Sequence, residues 1–451
     1  MNIISRAMSL IDFHVAATLA LRLWILLAGT ITVLLVPIFL TQLEQGYYFT
    51  FASVLALQIF FELGLNYVLV QFTAAQMPWL HLTKDGCLGG DADRLHTLGA
   101  LVSKVFKVYQ ILAILFFCLI GTGGAYFFAS SNQLQLDQWL PSWLLMTAFT
   151  AGNLFFSPFL AIAEGTGKVG QIARLRTIQS IFGYLCAWLC LIYGYGLLAM
   201  PLIAGANLVG AVIWWRLDGK FITALRRLGR TSVSSNHLNW RRDIFPFQWK
   251  IAVSWISGYL VFQMFNPVIF KYHGPIDAGA VGLALAVFGA LTTLSMSWVN
   301  AKAPEITKQL NAGNRFAARA VFRRQFTVSF LVNFSLTIGV IISISLMRVL
   351  HIPAVDRLPD GAVLNWMAIA AVVNQVVFSL AVYMRAHGEE PLMAPSIITG
   401  LATLAVLAFT GSSNIQLMMA LYAGVLAFLC LPWVATLFFR KYWKESLHSV
   451  S

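Results

Sequence analysis

Apolar stretches of about 20 residues recur along this chain, and that length admits few folds. A run of that length crosses the hydrocarbon core of a bilayer as a helix, because lipid gives the backbone no outside hydrogen-bond partner. Twelve are legible: residues 21–40, 46–73, 105–129, 139–163, 177–198, 199–215, 247–270, 278–301, 326–347, 362–384, 391–410 and 415–439. Only 10% of residues are charged, against about 25% in soluble domains. The expected fold class is an all-α polytopic membrane protein with about twelve transmembrane helices.

The basic residues orient those spans. With the N-terminus in the cytoplasm, all but three of the 30 lysines and arginines fall on the cytoplasmic side; the exceptions are Lys271, Arg348 and Arg357. So lopsided a split supports an N-in, C-in topology. It also accounts for the net charge of +13 without any nucleic-acid partner. Residues 1–20 are expected to form an amphipathic lead-in at the membrane surface; lacking a small-residue cleavage site, they pass into an uncleaved anchor. The five cysteines have neither metal-ligand nor redox spacing and read as small apolar fillers. No histidine falls in a span core.

The chain divides into two halves: a bundle over residues 1–225, a cytoplasmic linker over 226–245, and a second bundle over 246–451. The halves repeat. Arg22 and Pro37 of the first span match Lys250 and Pro267 of the seventh. Ala75-Gln-Met-Pro78 matches Ala301-Lys-Ala-Pro304, and each is followed by a glycine turn and an arginine, Gly90 to Arg94 and Gly313 to Arg315. The fourth and tenth spans leave through Ala163-Glu-Gly-Thr-Gly-Lys168 and Arg385-Ala-His-Gly-Glu-Glu390. Both halves start on the cytoplasmic side, so the repeat is parallel, an arrangement of transporters whose substrate path lies between the halves. Gly165-Thr-Gly-Lys168 lacks the full phosphate-loop spacing and a preceding strand; it reads as a tight turn, and the chain shows no ATP site.

The second span carries Glu62 near its middle, with Gln58 and Asn66 four residues to either side on the same helical face. A carboxylate at that depth costs roughly 2.5–3.5 kcal/mol on insertion scales and needs a partner, a proton or a wet cavity. The same span gives a family resemblance. Glu44-Gln-Gly-Tyr-Tyr-Phe-Thr-Phe51, Leu57-Gln-Ile-Phe-Phe-Glu-Leu-Gly-Leu65 and Gln71-Phe72 resemble bacterial polysaccharide flippases of the O-antigen type, within the multidrug/oligosaccharidyl-lipid/polysaccharide exporter superfamily. The resemblance implies two six-helix bundles in a V around a central cavity. It also implies a cargo, an undecaprenyl-pyrophosphate-linked oligosaccharide moved from the cytoplasmic to the periplasmic leaflet of the inner membrane. It implies no bound cofactor, often coupling to an H+ or Na+ gradient, and no catalytic residues.

Several residues fit such a task. Arg22 and Lys250 are candidates for holding pyrophosphate, a guanidinium by two bonds and an ammonium as a point charge; the alternative is snorkelling to head groups. Glu62 is a candidate for ion coupling, or for a static counter-charge to a cation such as Arg22. Gln58, Asn66, Trp255, Gln263 and Asn374 are candidate sugar contacts, set against ordinary interhelical hydrogen bonding. Anionic phospholipids are expected at the basic loops, with a polysaccharide polymerase and a chain-length regulator as further partners. A multidrug exporter of the same superfamily is the first alternative. A membrane polymerase, ligase or acyltransferase is disfavoured by the short outer loops and the missing intramembrane histidine. A scaffold for polysaccharide assembly is a further alternative.

Overall fold

In the computed structural model, the residues described are 13–83, 87–231, 240, 244–387 and 391–443. They form α1 (Phe13–Phe39), α2 (Gln42–Glu62), α3 (Leu65–Gln76), a short antiparallel hairpin of β1 (Leu80–Leu82) and β2 (Leu88–Gly90), α4 (Ala92–Ala129), α5 (Leu136–Ala163), α6 (Val169–Ile192), α7 (Ala199–Asp218) and α8 (Lys220–Thr231). Then follow α9 (Phe245–Phe262), α10 (Phe265–Tyr272), α11 (Pro275–Asn311), α12 (Arg315–Val349), α13 (Gly361–Arg385), α14 (Met393–Thr410) and α15 (Ile415–Trp443). Nine helices among the described residues are long and apolar enough to cross a membrane, or eleven if each of two bent pairs is one span. The protein is an all-α, multi-pass membrane protein. Residues 1–12 of the expected lead-in and residues 232–239 of the expected linker lie outside the described residues; residues 13–20 of the lead-in belong to α1.

Two expected spans are not continuous. The second breaks between α2 and α3 with a bend of 43°, and the seventh between α9 and α10 with a bend of 40°. At the first break Leu63 and Gly64 both take left-handed backbone angles, φ 48° and 68°. The helix cannot run through two such residues in succession. The stretch Leu136–Ile192 is likewise two helices that kink at Gly167 (φ 92°). The linker expected over 226–245 begins within a helix, α8.

By contacts the chain forms two compact units, Met1–Leu35 with Val54–Trp255, and Val36–Ser53 with Ile256–Ser451. In the first unit, glycines let helices touch. Trp143 of α5 lies flat against Gly124 of α4, where a Cβ would come within 2.1 Å of the ring, and its indole N–H donates to Gly121 O at 2.9 Å. Small residues at such crossings replace the hydrophobic drive that lipid does not supply. Two more indoles fasten α1 to α6: Trp24 donates to Ser180 Oγ at 3.0 Å and Trp188 to Thr32 Oγ1 at 2.9 Å. Helix α8 buries Phe221, Ile222 and Leu225, packs on α4, and places the Arg226 guanidinium 3.2 Å from the centre of the Phe106 ring.

In the second unit α11 packs on α10, α12 and α13. The segment Val36–Ser53 joins it for local reasons. Thr41 and Glu44 form a capping box at the start of α2: Glu44 N donates to Thr41 Oγ1 at 3.2 Å, and Thr41 N to Glu44 Oε2 at 2.8 Å. Gln45 then donates to Gly279 O at 2.9 Å, and Gly46 meets Pro275 so closely that a Cβ would sit 1.9 Å from its carbonyl oxygen. The two arginines expected outside the cytoplasm serve backbone carbonyls. Arg357 Nη1 donates to Leu40 O, near the C-terminus of α1, at 2.6 Å, and Arg348 donates to Pro359 O. A cation at a helix C-terminus is where the macrodipole wants one.

The sequence repeat is realised in part. Gly90 and Gly313 both have positive φ, and Asp91 and Asn314 both cap the following helix, accepting from Arg94 N at 2.9 Å and Ala317 N at 3.2 Å. The Pro78 and Pro304 segments differ: the first leads into the β-hairpin, while Pro304 sits inside α11.

Candidate functional site

The polar stripe of the second span forms a closed hydrogen-bond cluster in the first unit. Gln58 sits one turn before Glu62 and donates to its Oε1. Asn66, one turn on and across the helix break, donates to Glu62 Oε2 at 3.2 Å and to Ser157 Oγ of α5 at 3.0 Å. Tyr109 of α4, wholly buried, donates its hydroxyl to Asn66 Oδ1 at 3.2 Å. Ser157 completes the chain by donating to Leu154 O at 3.0 Å. Glu62 is thus held by two amide donors. Among the described residues it has no ion-pair partner; the only ion pairs are Arg176 with Glu164 and Lys302 with Glu305. A static pair between Glu62 and Arg22 is therefore not formed.

The break beside Glu62 is fixed from outside its own helix. A Cβ on Gly64 would lie 2.3 Å from Ile251 Cγ2, so α9 is seated against the backbone there. Lys250 precedes that contact by one residue. Its side chain is exposed and makes no ion pair among the described residues, and Arg22 is exposed as well. Trp255, 39% exposed, joins none of these groups.

The second unit holds a cavity of about 540 Å³ whose lining includes Gln263 and Asn374. Gln263 lies at the break between α9 and α10. Asn374 of α13 donates to Tyr422 OH of α15 at 3.4 Å. Asn266, one turn past Gln263, donates to Ser53 Oγ of α2 at 3.1 Å, and Tyr259 OH donates to Ser53 O at 3.2 Å. The lining holds no Asp, Glu, Lys, Arg or His.

The five residues Gln58, Glu62, Asn66, Gln263 and Asn374 therefore fall into two separate groups, one in each unit, while Arg22, Lys250 and Trp255 stand apart. Sequence reasoning passed over Tyr109, Tyr259 and Tyr422. Each is a buried hydroxyl-bearing ring within an apolar helix, a placement that in a span demands a buried partner. No group of three or more metal-ligating side chains is assembled among the described residues.

No family profile and no curated protein sequence matches the chain. Solved structures do. An inward-facing multidrug resistance MATE family transporter of the MOP superfamily superposes with a TM-score of 0.55 at 14% identity, over 90% of this chain and 98% of the other. The lipid II flippase MurJ, in an inward closed conformation, gives 0.55 at 11% identity over 94% and 86%. The eukaryotic MATE transporter AtDTX14 gives 0.53 at 14% identity over 95% and 97%. At these identities the likeness is one of fold: the chain has the polytopic helical fold of these transporters.

Proposed function

We propose that the chain is a secondary transporter that flips undecaprenyl-pyrophosphate-linked oligosaccharide, an O-antigen or exopolysaccharide repeat unit, from the cytoplasmic to the periplasmic leaflet of a bacterial inner membrane by alternating access. The observation that carries this reading is the pair of broken spans with polar side chains at the breaks, Glu62 at one and Gln263 with Asn266 at the other. Irregular backbone at membrane depth survives only where it lines a cavity or is buried in protein, and carriers build their sites there. Counting each bent pair as one crossing and Leu136–Ile192 as two gives the twelve spans of a six-plus-six carrier. Arg22 and Lys250, exposed and without ion pairs, hold the pyrophosphate at the cytoplasmic side. Glu62, a carboxylate with amide donors and no cation, takes up the coupling proton or sodium ion.

A second reading, a multidrug exporter, is favoured by one observation: an intramembrane carboxylate with no counter-ion suits a cationic drug as well as a coupling ion. Deletion separates the two. In cells lacking the protein the lipid-linked repeat unit is expected to accumulate on the cytoplasmic face. Unchanged polysaccharide export together with new drug sensitivity would establish the exporter instead.

A further inference from the structure

We propose that the cavity of the second unit is a subsite for one neutral sugar unit of the cargo, recognised apart from the pyrophosphate; this rests on the reading of the cargo as a lipid-linked oligosaccharide. Its volume, about 540 Å³, falls within the range of about 300–1,000 Å³ typical of small-molecule sites. Its chemistry is selective. With no ionisable side chain in the lining, it offers nothing to neutralise a phosphate or a drug cation. What it offers is amide and hydroxyl groups on a wall of rings, Phe49, Phe262, Phe378 and Tyr422. Amides both donate and accept, which matches a polyhydroxylated ring whose every hydroxyl does the same. Aromatic faces suit the C–H faces of a pyranose.

One polar group points to a ligand that hydrogen-bonds. Tyr422 lines the cavity, is 3% exposed, accepts from Asn374, and donates its own proton to no described group. A hydroxyl donor left over among the lining residues is a cost that a hydrocarbon tail cannot relieve and a sugar hydroxyl can. Nearby Thr292 and Thr293 spend their hydroxyls on helix carbonyls one turn back and add polarity without demanding a partner. The cavity also sits at the α9–α10 break, so its shape is tied to a bend that a transport cycle can change.

The test uses the purified full chain and two probes: the lipid-linked oligosaccharide extracted from a strain deleted for the protein, and undecaprenyl pyrophosphate bearing no sugar. Gln263→Met and Asn374→Leu keep side-chain volume, and Asn374→Gln restores the amide. The double variant Gln263→Met, Asn374→Leu is expected to bind the glycosylated lipid at least tenfold more weakly, to bind the sugar-free lipid as the unaltered chain does, and to recover part of the loss when Asn374→Gln replaces Asn374→Leu. Equal losses for both probes, or no loss for either, would overturn the subsite while leaving the cargo assignment standing. If the unaltered chain fails to bind the glycosylated lipid and instead binds ethidium, with Glu62→Gln abolishing that binding, the cargo assignment itself falls.

Discussion

Gly64 should be replaceable by alanine only at a cost that a second substitution, 251, can partly return. Two terms add. Alanine at φ 68° carries a left-handed penalty of about 1–2 kcal/mol. Its Cβ would lie 2.3 Å from Ile251 Cγ2, and overpacking of that kind costs about 1–3 kcal/mol. Gly64→Ala is thus expected to destabilise the fold by about 2–5 kcal/mol. In an Ile251→Ala background the Cγ2 clash is removed, leaving a Cβ contact at 3.2 Å and the backbone term. The double-mutant cycle should therefore show a coupling of about 1–3 kcal/mol. Gly123 is the control: it lies in α4, and a Cβ there meets nothing within 4 Å. Gly123→Ala should be neutral or stabilise by up to about 1 kcal/mol. Equilibrium unfolding of the purified protein in mixed micelles measures all four. If Gly64→Ala costs the same with and without Ile251, then α9 does not set the break, and the account of why this span bends at Glu62 is wrong.

Other consequences are more direct. Asn66→Leu strands the hydroxyl of Tyr109, removes a donor from Glu62 Oε2 and should cost about 1–3 kcal/mol in the same unfolding titration. Glu62→Gln should leave abundance unchanged while removing the dependence of flipping on an ion gradient; a variant that flips with its full gradient dependence intact refutes the coupling role. Charge reversal at Arg22 or Lys250 should abolish flipping while insertion persists, and unimpaired polymer export in either variant would dismiss the pyrophosphate contact. Gly124→Val would drive a side chain into the Trp143 ring, 2.1 Å from the Cβ position, and should destabilise by about 1–3 kcal/mol, read as loss of folded protein on size exclusion.

Residues related by local spacing were legible from the sequence. Gln58, Glu62 and Asn66 share a face because four residues make about one helical turn, and the structure joins them by hydrogen bonds even though a break intervenes. The glycine turn and polar cap before α4 and α12 were legible for the same reason. The breaks themselves were not. Glu62-Leu-Gly-Leu65 has no proline, and glycine is ordinary in spans. The side chain packed against the break is Ile251, nearly 190 positions away. Tyr109, Ser157, Ser53 and Tyr422 enter their clusters the same way, from other helices. Of the two readings of Glu62, the static pair with Arg22 is not formed among the described residues; amides four residues away reach the carboxylate with little ordering cost.

The most direct measurement is transport itself. The purified chain is reconstituted into liposomes carrying undecaprenyl-pyrophosphate-linked oligosaccharide in both leaflets, and the sugar exposed outside is followed with a membrane-impermeant enzyme. The account predicts that the inner-leaflet pool becomes accessible only with active protein, faster under an imposed ion gradient, and that Arg22→Glu stops it. Liposomes in which that pool stays protected while an aromatic cation is pumped would contradict it.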